Sequence, residues 1–327
     1  MSLATAPGTA TTALVTDSEL GPVVVTGICG RLGRDLSRIL HRKRKVIGVD
    51  RRAFVDPPGD VEHHQIDIRS SKAREIFRRD VAAVVHLGVM HDPHESSIEH
   101  HDFNVVGLQK VLEYVDAYKI PKLLLLSSAN VYGPRPDNPQ LIREDAPLLG
   151  AGPFSDIRDL VELDMLVNAF FWRSLGTDTV ILRPAHILGT VRNAPSNYLR
   201  LDVVPTLLGF DPMMQVVHQR DVLSAIDLAL RPGVRGIFNI GGPEPTALSK
   251  AIALLGRRAV ALPHTLAKAA VKNLFRFRLT SFPAPELDFI RYVCMVDDSK
   301  ARAELGYAPQ HGLEATLRAV DEERWLS

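Results

Sequence analysis

Short apolar runs alternate with helical patterns along the first 186 residues of the chain. Each run holds four to six residues and ends at or near a glycine or a polar residue. Such runs are typical of strands buried on both faces of a parallel sheet. We predict six strands, at Pro22–Thr26, Val46–Val49, Val61–Ile66, Val81–His86, Lys122–Leu126 and Thr179–Leu182.

Helical spacing of apolar residues separates most of these runs, at Arg31–Ile39, Lys72–Arg79, Val105–Tyr118 and Ile157–Arg173. Strands that alternate with helices predict an α/β fold with a Rossmann-like, doubly wound parallel sheet. Beyond residue 186 the pattern loosens into short mixed segments rich in proline and glycine, which favours a smaller C-terminal substrate lobe. We therefore expect a loose tail over 1–20, a dinucleotide-binding domain over 21–186, and a lobe over 187–327 that returns some segments to the main sheet.

The segment Thr26-Gly27-Ile28-Cys29-Gly30-Arg31-Leu32-Gly33 follows the first predicted strand and opens the first predicted helix. In this context one glycine permits a tight turn, one lets the backbone approach a pyrophosphate, and one lets helix and strand pack closely. The helix N-terminus then offers N–H groups and a positive dipole end to the phosphates. The spacing predicts a dinucleotide site.

Asp50 lies at the end of the second predicted strand, where a carboxylate can accept hydrogen bonds from the adenosine ribose. The same carboxylate repels a 2′-phosphate, which favours NAD over NADP. Arg51 and Arg52 follow at once, and arginine can accommodate that phosphate. The alternative is that Asp50 only opens a surface turn.

The order of several further motifs resembles the extended short-chain dehydrogenase/reductase superfamily, in particular its NAD-dependent epimerase/dehydratase family. The resemblance covers about residues 22–320. It rests on Gly-x-x-Gly-x-x-Gly at 27–33, Asp67-Ile68, His86-Leu87-Gly88, Asn104 with Gly107, Ser127–Gly133, Leu182–Ala185, Val217-His218 with Asp221-Val222, and Asp298–Ala301.

The resemblance implies hydride transfer at the nicotinamide of NAD. In this family a serine or threonine hydroxyl polarises a substrate C–O group, and the tyrosine of a Tyr-x-x-x-Lys motif moves the proton while the lysine lowers its pKa. Ser128 matches the serine. The cofactor residues, from the glycine turn and the resemblance together, are Gly27, Cys29, Gly30, Arg31, Leu32, Gly33, Asp50, Arg51, Asp67, Ile68, Leu87, Gly88, Val89, Asn104, Ser127, Arg158, Pro184, Ala185 and Ile187.

The Tyr-x-x-x-Lys motif itself is replaced. Pro153 and Glu162 match the family's pattern around it, which puts Phe154 on the tyrosine and Arg158 on the lysine. Phenylalanine cannot carry a proton, and arginine does not titrate near neutral pH. Loss of general acid–base help slows a reaction by roughly two to four orders of magnitude, so cofactor binding should survive better than catalysis.

A histidine-rich loop after the fourth predicted strand offers a replacement proton carrier, and His91 is our speculative candidate. The same loop region contains His94, His100 and His101, and the alternative is that it is simply a solvated loop. We predict no metal site. His91 and His94 with Asp92 or Glu95 could supply ligands, but Pro93 interrupts the segment and a second ligand pair is not evident.

The substrate side also departs from the family. Members that act on sugar nucleotides usually have an arginine a few residues before the Val-His-x-x-Asp segment, but Asp211–Gln215 holds two methionines and no arginine. His186 replaces an asparagine common in the family, and Arg291 is a poorly aligned phosphate contact. An ordinary UDP-sugar substrate becomes less favoured than the resemblance suggests.

Composition excludes several partners. The formal net charge is +1 and charged residues make up 24% of the 327 residues, so the chain has no strong field for nucleic acid or a membrane surface. Cys29 and Cys294 form no disulfide framework, which suits a cytoplasmic location, and no apolar run is long enough to span a membrane. We expect a small-molecule substrate, either a sugar nucleotide or another hydroxyl or carbonyl compound.

Three functions remain open at this point. The first is an NAD-dependent oxidoreductase or epimerase with an atypical active site and an unconventional proton carrier. The second is a catalytically inactive NAD-binding sensor or scaffold, and the third is a standard sugar-nucleotide epimerase, which the missing tyrosine disfavours. The resemblance further implies a homodimer, whose candidate contacts could equally face the sheet: Leu108, Val111, Leu112, Val161, Leu163 and Leu166.

Overall fold

Strands and helices alternate through the first half of the computed structural model, which describes residues 21–90, 95–151, 155–276, 288 and 291–325. These elements are β1 (Val23–Thr26), α1 (Arg31–Leu40), β2 (Val46–Asp50), β3 (Glu62–Gln65), α2 (Arg74–Phe77), β4 (Ala83–His86), α3 (Ser97–His101), α4 (Gly107–Ala117), β5 (Lys122–Leu126), α5 (Ser155–Arg173) and β6 (Asp178–Pro184).

Shorter elements make up most of the second half. They are β7 (His186–Leu188), α6 (Ala194–Leu199), β8 (Val203–Leu207), β9 (Met213–Met214), β10 (Val216–His218), α7 (Gln219–Ala229), β11 (Gly236–Ile240), β12 (Thr246–Ala247), α8 (Leu248–Leu254), β13 (Arg258–Leu262), α9 (His264–Arg276) and α10 (Leu313–Arg318).

Seven parallel strands form the central sheet in the order β11-β6-β5-β4-β1-β2-β3. Val24 of β1 lies opposite Ile47 of β2 on one side and Val84 of β4 on the other. The chain therefore winds outward from β1 in both directions, and the order reverses between β1 and β4. Ligands of open α/β sheets bind at the carboxyl ends of the strands at such a reversal.

Complete burial explains why the inner strands read as unbroken apolar runs. Val23, Val24 and Val25 of β1 are fully buried, and their β-branched side chains suit a strand covered on both faces. β3 is the exception, because it lies at the edge of the sheet and has the polar sequence Glu-His-His-Gln.

The predicted fold class is confirmed, and all six predicted strands are present with ends shifted by a few residues. The helix predicted over Lys72–Arg79 is shorter, since a 3₁₀ turn at Ser71–Ala73 leads into α2. The helix predicted from Val105 begins at Gly107, after a π-helical turn at Asp102–Val106. π-Helical turns interrupt helices mainly near functional sites.

The second half of the chain builds its own small core beside the sheet. Leu188, Leu199, Val204 and Leu207 are buried together there. One strand of this half, β11, lies in the central sheet next to β6. The division at residue 186 stays a prediction.

The helix residues considered for a dimer contact pack mostly within one chain. Leu108, Val111, Leu112, Val161 and Leu163 are buried, and Leu166 is half-buried against the main core. They face the sheet, which was the alternative left open. Among the described residues, no helix is both long and apolar enough to cross a bilayer.

Candidate functional site

The glycine turn between β1 and α1 has the close packing that a pyrophosphate loop needs. Gly27 has a φ of +73°, which favours glycine, and a Cβ there would lie 2.7 Å from Gly88. A Cβ on Gly33 would lie 2.5 Å from the carbonyl oxygen of Gly27. Helix α1 therefore packs directly on the turn, as the spacing predicted.

Gly30 is less crowded than Gly27 and Gly33. A Cβ built on it would make one tight contact, 3.1 Å from the carbonyl oxygen of Gly27, and would lie 3.9 Å from Nη2 of Arg52. Gly30 is also the N-cap of α1 and has no side-chain oxygen to cap the helix. The first turn of α1 contains Arg31 and Leu32 and no acidic residue, so this end of the helix suits an anion.

Asp50 lies buried at the carboxyl end of β2, beside this turn. Its Oδ2 accepts a hydrogen bond from the backbone N–H of Cys29 at 3.0 Å, which ties β2 to the glycine turn. Arg52 donates to the same carboxylate from its backbone and from two side-chain nitrogens. Burial alone would raise the pKa of Asp50, but these hydrogen bonds from Arg52 and Cys29 lower it below its usual value, so Asp50 is ionised at neutral pH.

The side chain of Cys29 has a structural place beside Asp50. Its Sγ donates to the carbonyl oxygen of Arg52 at 3.3 Å. Burial, together with the charge of Asp50, raises the pKa of the Cys29 thiol to about 11. The thiol therefore stays protonated at neutral pH, and the contribution of Cys29 to the cleft is its backbone.

Asp67 and Ile68 follow β3, at the side of the cleft where the resemblance puts the adenine. Ile68 is buried, and Arg69 donates to the Asp67 carboxylate from Nε at 3.0 Å and Nη2 at 2.8 Å. These hydrogen bonds lower the pKa of Asp67. The guanidinium of Arg51 lies 4.8 Å from the ring centre of Phe103, and that of Arg69 lies 5.5 Å from the same ring.

The carboxyl end of β4 forms the floor of the cleft. Fully buried His86 shares a hydrogen bond of 2.7 Å between its Nδ1 and Oγ1 of Thr26, which joins the ends of β4 and β1. Burial lowers the pKa of His86 to about 4, so the ring is neutral at pH 7. The next residues, Leu87, Gly88 and Val89, are half-buried at the cleft.

Asn104, predicted as a cofactor contact, uses its side chain within the protein. Its Oδ1 accepts from the N–H of Met90 at 2.7 Å, and its Nδ2 donates to the carbonyl oxygen of Met90 at 3.3 Å. Nδ2 also lies 3.5 Å from Oδ2 of Asp159 on α5. Asn104 therefore holds the start of the loop after β4 against α5.

Ser127 and Ser128 follow β5. The Ser127 hydroxyl is buried and donates to Oδ2 of Asp164 at 2.8 Å. Ser128 is half-buried, and its Oγ accepts a hydrogen bond of 3.2 Å from the N–H of Asn130. The Ser128 hydroxyl can still donate its proton, whereas the Ser127 hydroxyl already donates its proton to a buried carboxylate.

A buried ion pair supports these strand ends. Arg183 of β6 and Asp164 of α5 meet at 2.6 Å, and both side chains are at most 2% exposed. Arg183 also donates to the hydroxyl of Tyr132 at 2.8 Å, and that hydroxyl donates to Asn239 of β11. Burial raises the pKa of Tyr132 to about 12, so Tyr132 does not replace the missing tyrosine as a proton carrier at neutral pH.

Of the residues predicted for the nicotinamide side, Pro184 and Ala185 are buried at the end of β6, and Ile187 is half-buried in β7. Arg158 is exposed in the first turns of α5. Phe154 and His91 lie outside the described residues, as does His94. Their predicted roles stay predictions.

Another histidine, His101 at the end of α3, lies against the first turns of α5. Nδ1 of His101 is 3.8 Å from Oδ1 of Asp159 and 3.7 Å from a carboxylate oxygen of Glu162. Asp159 is fully buried, and its Oδ1 has no hydrogen-bond partner among the described residues. An imidazole that contacts solvent on one side thus approaches a buried carboxylate on the other.

On the substrate side, Arg291 stacks against Phe210 at 5.0 Å and Tyr292 at 4.8 Å from the ring centres. Burial of the His186 ring lowers its pKa to about 4, so it is neutral. Met213 and Met214 form β9, which pairs with β12. Within the described residues, no group of three histidine, cysteine, aspartate or glutamate side chains could hold a metal ion.

Sequence reasoning missed the arginine partners of the two acidic residues and the pair of Asp164 with Arg183. The Asp-x-Arg spacing at 50–52 and 67–69 was a visible signal for the first. The second pairs residues from α5 and β6, and nothing in the spacing reveals it.

The chain is similar to known proteins in both sequence and fold. A family model described as the NAD dependent epimerase/dehydratase family matches residues 23–241. An uncharacterized protein of Mycobacterium tuberculosis is 30% identical over 315 residues, which covers 92% of this chain and 82% of that protein. A UDP-glucuronate 4-epimerase of Thermodesulfobacterium geofontis is 22% identical over 327 residues, covering 91% of this chain and 94% of that one. The solved structure of MoeE5 in complex with UDP-glucuronic acid and NAD superposes with a TM-score of 0.73 at 20% identity, covering 94% of this chain and 100% of that chain.

Proposed function

Because this chain belongs to the NAD dependent epimerase/dehydratase family, we propose that it binds NAD at the carboxyl ends of β4, β1 and β2 and acts on a small-molecule hydroxyl or carbonyl compound. The observation that carries the proposal is the glycine turn, where Gly27 and Gly33 are packed too closely for side chains and where α1 begins without an acidic residue. When bound, NAD supplies hydride chemistry at its nicotinamide. This cradle fits a dinucleotide.

The chain's own groups have distinct tasks in this proposal. Backbone N–H groups at the start of α1 bind the pyrophosphate, and Asp50 binds the adenosine ribose. Ser128 donates its hydroxyl proton in a hydrogen bond to the substrate oxygen, which polarises the C–O bond. Arg158 contributes a fixed positive charge at the place of the family's lysine.

The proton itself needs a non-standard carrier, since Phe154 and Arg158 cannot titrate near neutral pH. We propose His101 beside the His91 already suggested by the sequence. The position of His101 next to Asp159 supports this proposal. Asp159 directly follows Arg158 in the sequence, and Asn104 links it to the loop after β4. A carboxylate beside an imidazole orients the ring for proton transfer.

The proposed substrate class includes sugar nucleotides. The names of the epimerase of Thermodesulfobacterium geofontis and of the MoeE5 complex support it. In this chain Met214 lies near the place where sugar-nucleotide enzymes have an arginine, so the diphosphate needs another cation. Arg291 offers one, because its guanidinium is already held between two aromatic rings.

A second candidate function is NAD binding without turnover. The hydrogen bond of Ser128 to Asn130 favours it, because a serine that caps a turn has a structural reason to be present. The replacement of both titrating residues of the motif also favours it.

Two measurements separate these functions. Calorimetric titration of nucleotide-stripped protein with NAD tests the cleft, and undetectable binding would sink both candidates. Turnover is tested by incubation with UDP-glucose, UDP-glucuronate or simple alcohols. Absorbance of reduced nicotinamide reports net oxidation, and chromatography of the sugar nucleotides reports epimerisation, which leaves no net reduced nicotinamide. Turnover that His101→Gln abolishes and His64→Gln leaves intact would support His101, because His64 lies on the edge strand β3.

We also propose a homodimer. Helix α5 exposes two large apolar side chains seven residues apart, Met165 at 58% and Trp172 at 72%. Residues with this spacing lie on one face of a helix, and a second copy of the chain would cover them. Light scattering after size exclusion would report a dimer mass, and Trp172→Glu should shift it to the monomer.

A further inference from the structure

The two acidic residues expected to hold the adenosine are both held by an arginine two positions later. Oδ1 of Asp50 accepts from the backbone N–H and Nε of Arg52, each at 3.0 Å, and Oδ2 accepts from Nη2 at 2.9 Å. Asp67 and Arg69 repeat this arrangement at 2.9, 3.0 and 2.8 Å. Two parallel N–H···O bonds of this kind are the strongest pairing of guanidinium and carboxylate.

The pair at Asp50 differs from its copy in where the arginine lies. The Asp50 side chain is 4% exposed, whereas the Arg52 side chain is 59% exposed. A Cβ built on Gly30 would lie 3.9 Å from Nη2 of Arg52. The guanidinium thus reaches from solvent across Asp50 to the glycine turn, where the adenosine ribose of a bound dinucleotide must lie.

This position changes the charge that a 2′-phosphate would meet. A lone carboxylate at the end of the second strand repels that phosphate, which is the usual basis of NAD selectivity. Here the charge of Asp50 is offset by Arg52, and Arg51 adds a second guanidinium, stacked on Phe103 and 3.7 Å from Glu99. Guanidinium groups match phosphate oxygens as well as they match carboxylates.

We propose that the adenosine pocket accepts NADP as well as NAD, and that Arg52 decides this by turning from Asp50 to the 2′-phosphate. The inference rests on the proposed dinucleotide cleft and goes beyond it, since NAD binding requires nothing of Arg52. With NAD the guanidinium competes with the ribose hydroxyls for the same carboxylate oxygens. With NADP it gains a dianionic partner, and Asp50 keeps its hydrogen bond from Cys29.

The test is calorimetric titration of the nucleotide-stripped full chain with NAD and with NADP. We expect the two dissociation constants to lie within about tenfold of each other. Arg52→Ala should weaken the binding of NADP about tenfold or more, and it should leave the affinity for NAD unchanged or increase it. The matched control is Arg69→Ala, which removes the same kind of pair from Asp67 and should affect both nucleotides equally.

Salt gives a second readout. In the unaltered chain, raising the ionic strength should weaken NADP binding more than NAD binding, because salt screens the exposed guanidinium. In Arg52→Ala the two nucleotides should show the same salt dependence. NAD binding with NADP more than about a hundredfold weaker would overturn this inference alone. Equal losses for both nucleotides in Arg52→Ala would also overturn it, and failure of both nucleotides to bind would overturn the dinucleotide cleft as well. An unchanged unfolding midpoint of Arg52→Ala confirms that the variant is folded.

Discussion

The two ends of the cleft are built differently. At the adenosine end, two acidic residues each pair with an arginine two positions later, and both arginines are partly exposed, as in Asp50 with Arg52 and Asp67 with Arg69. At the nicotinamide end, the ion pair of Asp164 with Arg183 is buried and joins a helix to a strand next to Ser127. One end offers groups to a ligand, whereas the other uses its charges to hold the fold.

This difference bears on the proposed function. At the proposed binding end, the glycine turn is packed as a dinucleotide cradle requires, and arginines lie beside it. At the proposed reacting end, Phe154 and Arg158 are predicted from the sequence to occupy the places of the family's titrating residues. Variants that act on one end and spare the other are the way to test this division.

The largest effect is expected from Asp164→Asn. The change leaves Arg183 charged, 2% exposed and without its ion-pair partner, and breaking a buried pair in this way costs about 3–5 kcal/mol. Urea unfolding should show this loss of stability. Glu314→Gln removes an exposed partner of Arg318 and should change the midpoint far less. Equal effects from the two variants would mean that the buried pair does not support the reacting end.

The pH dependence of stability should come next in size. The pKa of His86 falls from 6.5 to about 4 on folding because the ring is buried. The unfolded chain therefore binds the proton more readily, so this contribution to stability is complete above pH 6.5 and is lost as the pH falls to 4. The shift corresponds to about 3 kcal/mol.

His86→Asn removes that titration. Urea unfolding between pH 7 and pH 4 should give a shallower loss of stability for the variant than for the unaltered chain, even if the variant is less stable at pH 7. Burial, and then the charge of His311, also lower the pKa of His218 to about 4. The stability of the variant should therefore still fall somewhat between pH 7 and pH 4. Parallel curves for the two proteins would show that His86 does not titrate as its burial implies.

The sequence predicted the fold and the family well and the side-chain pairs between distant elements poorly, for a physical reason. Glycine spacing, strand ends and the motif order are local features, and the predicted family and fold are both confirmed. The cofactor is confirmed at the level of the family, whose description names NAD. The contacts of Asp164 with Arg183 and of Tyr132 with Asn239 cross 19 and 107 positions, so only the folded chain reveals them.

Asn104 shows what a motif leaves out. Its place in the sequence predicts a cofactor contact, which stays a prediction, and its side chain also hydrogen-bonds Met90. The six apolar helix residues considered for the dimer are a similar case, since helical spacing identifies a face without saying what covers it.

Ser128→Ala tests whether the reacting end still reacts. Loss of a hydrogen-bond donor to the reacting oxygen should lower kcat about a hundredfold, with NAD affinity unchanged. The measurement is steady-state kinetics on whichever substrate gives turnover, together with calorimetry. Ser127→Ala is the comparison variant, and it should lower stability because Ser127 donates to Asp164. Full activity in Ser128→Ala would leave Ser128 as the cap of its turn.

The smallest effect is expected at the binding end from Gly30→Ala. Gly30 has φ −66° and ψ 162°, which alanine adopts freely, and the added Cβ would lie 3.1 Å from the carbonyl oxygen of Gly27, so the turn must shift slightly. The methyl group should keep the pyrophosphate from approaching the turn and weaken NAD binding about tenfold, while the unfolding midpoint falls only slightly. Gly59→Ala is the control, because a Cβ on Gly59 meets no described atom within 4 Å. Calorimetry that gives the same NAD affinity for both variants would place the pyrophosphate elsewhere and remove the contrast between the two ends.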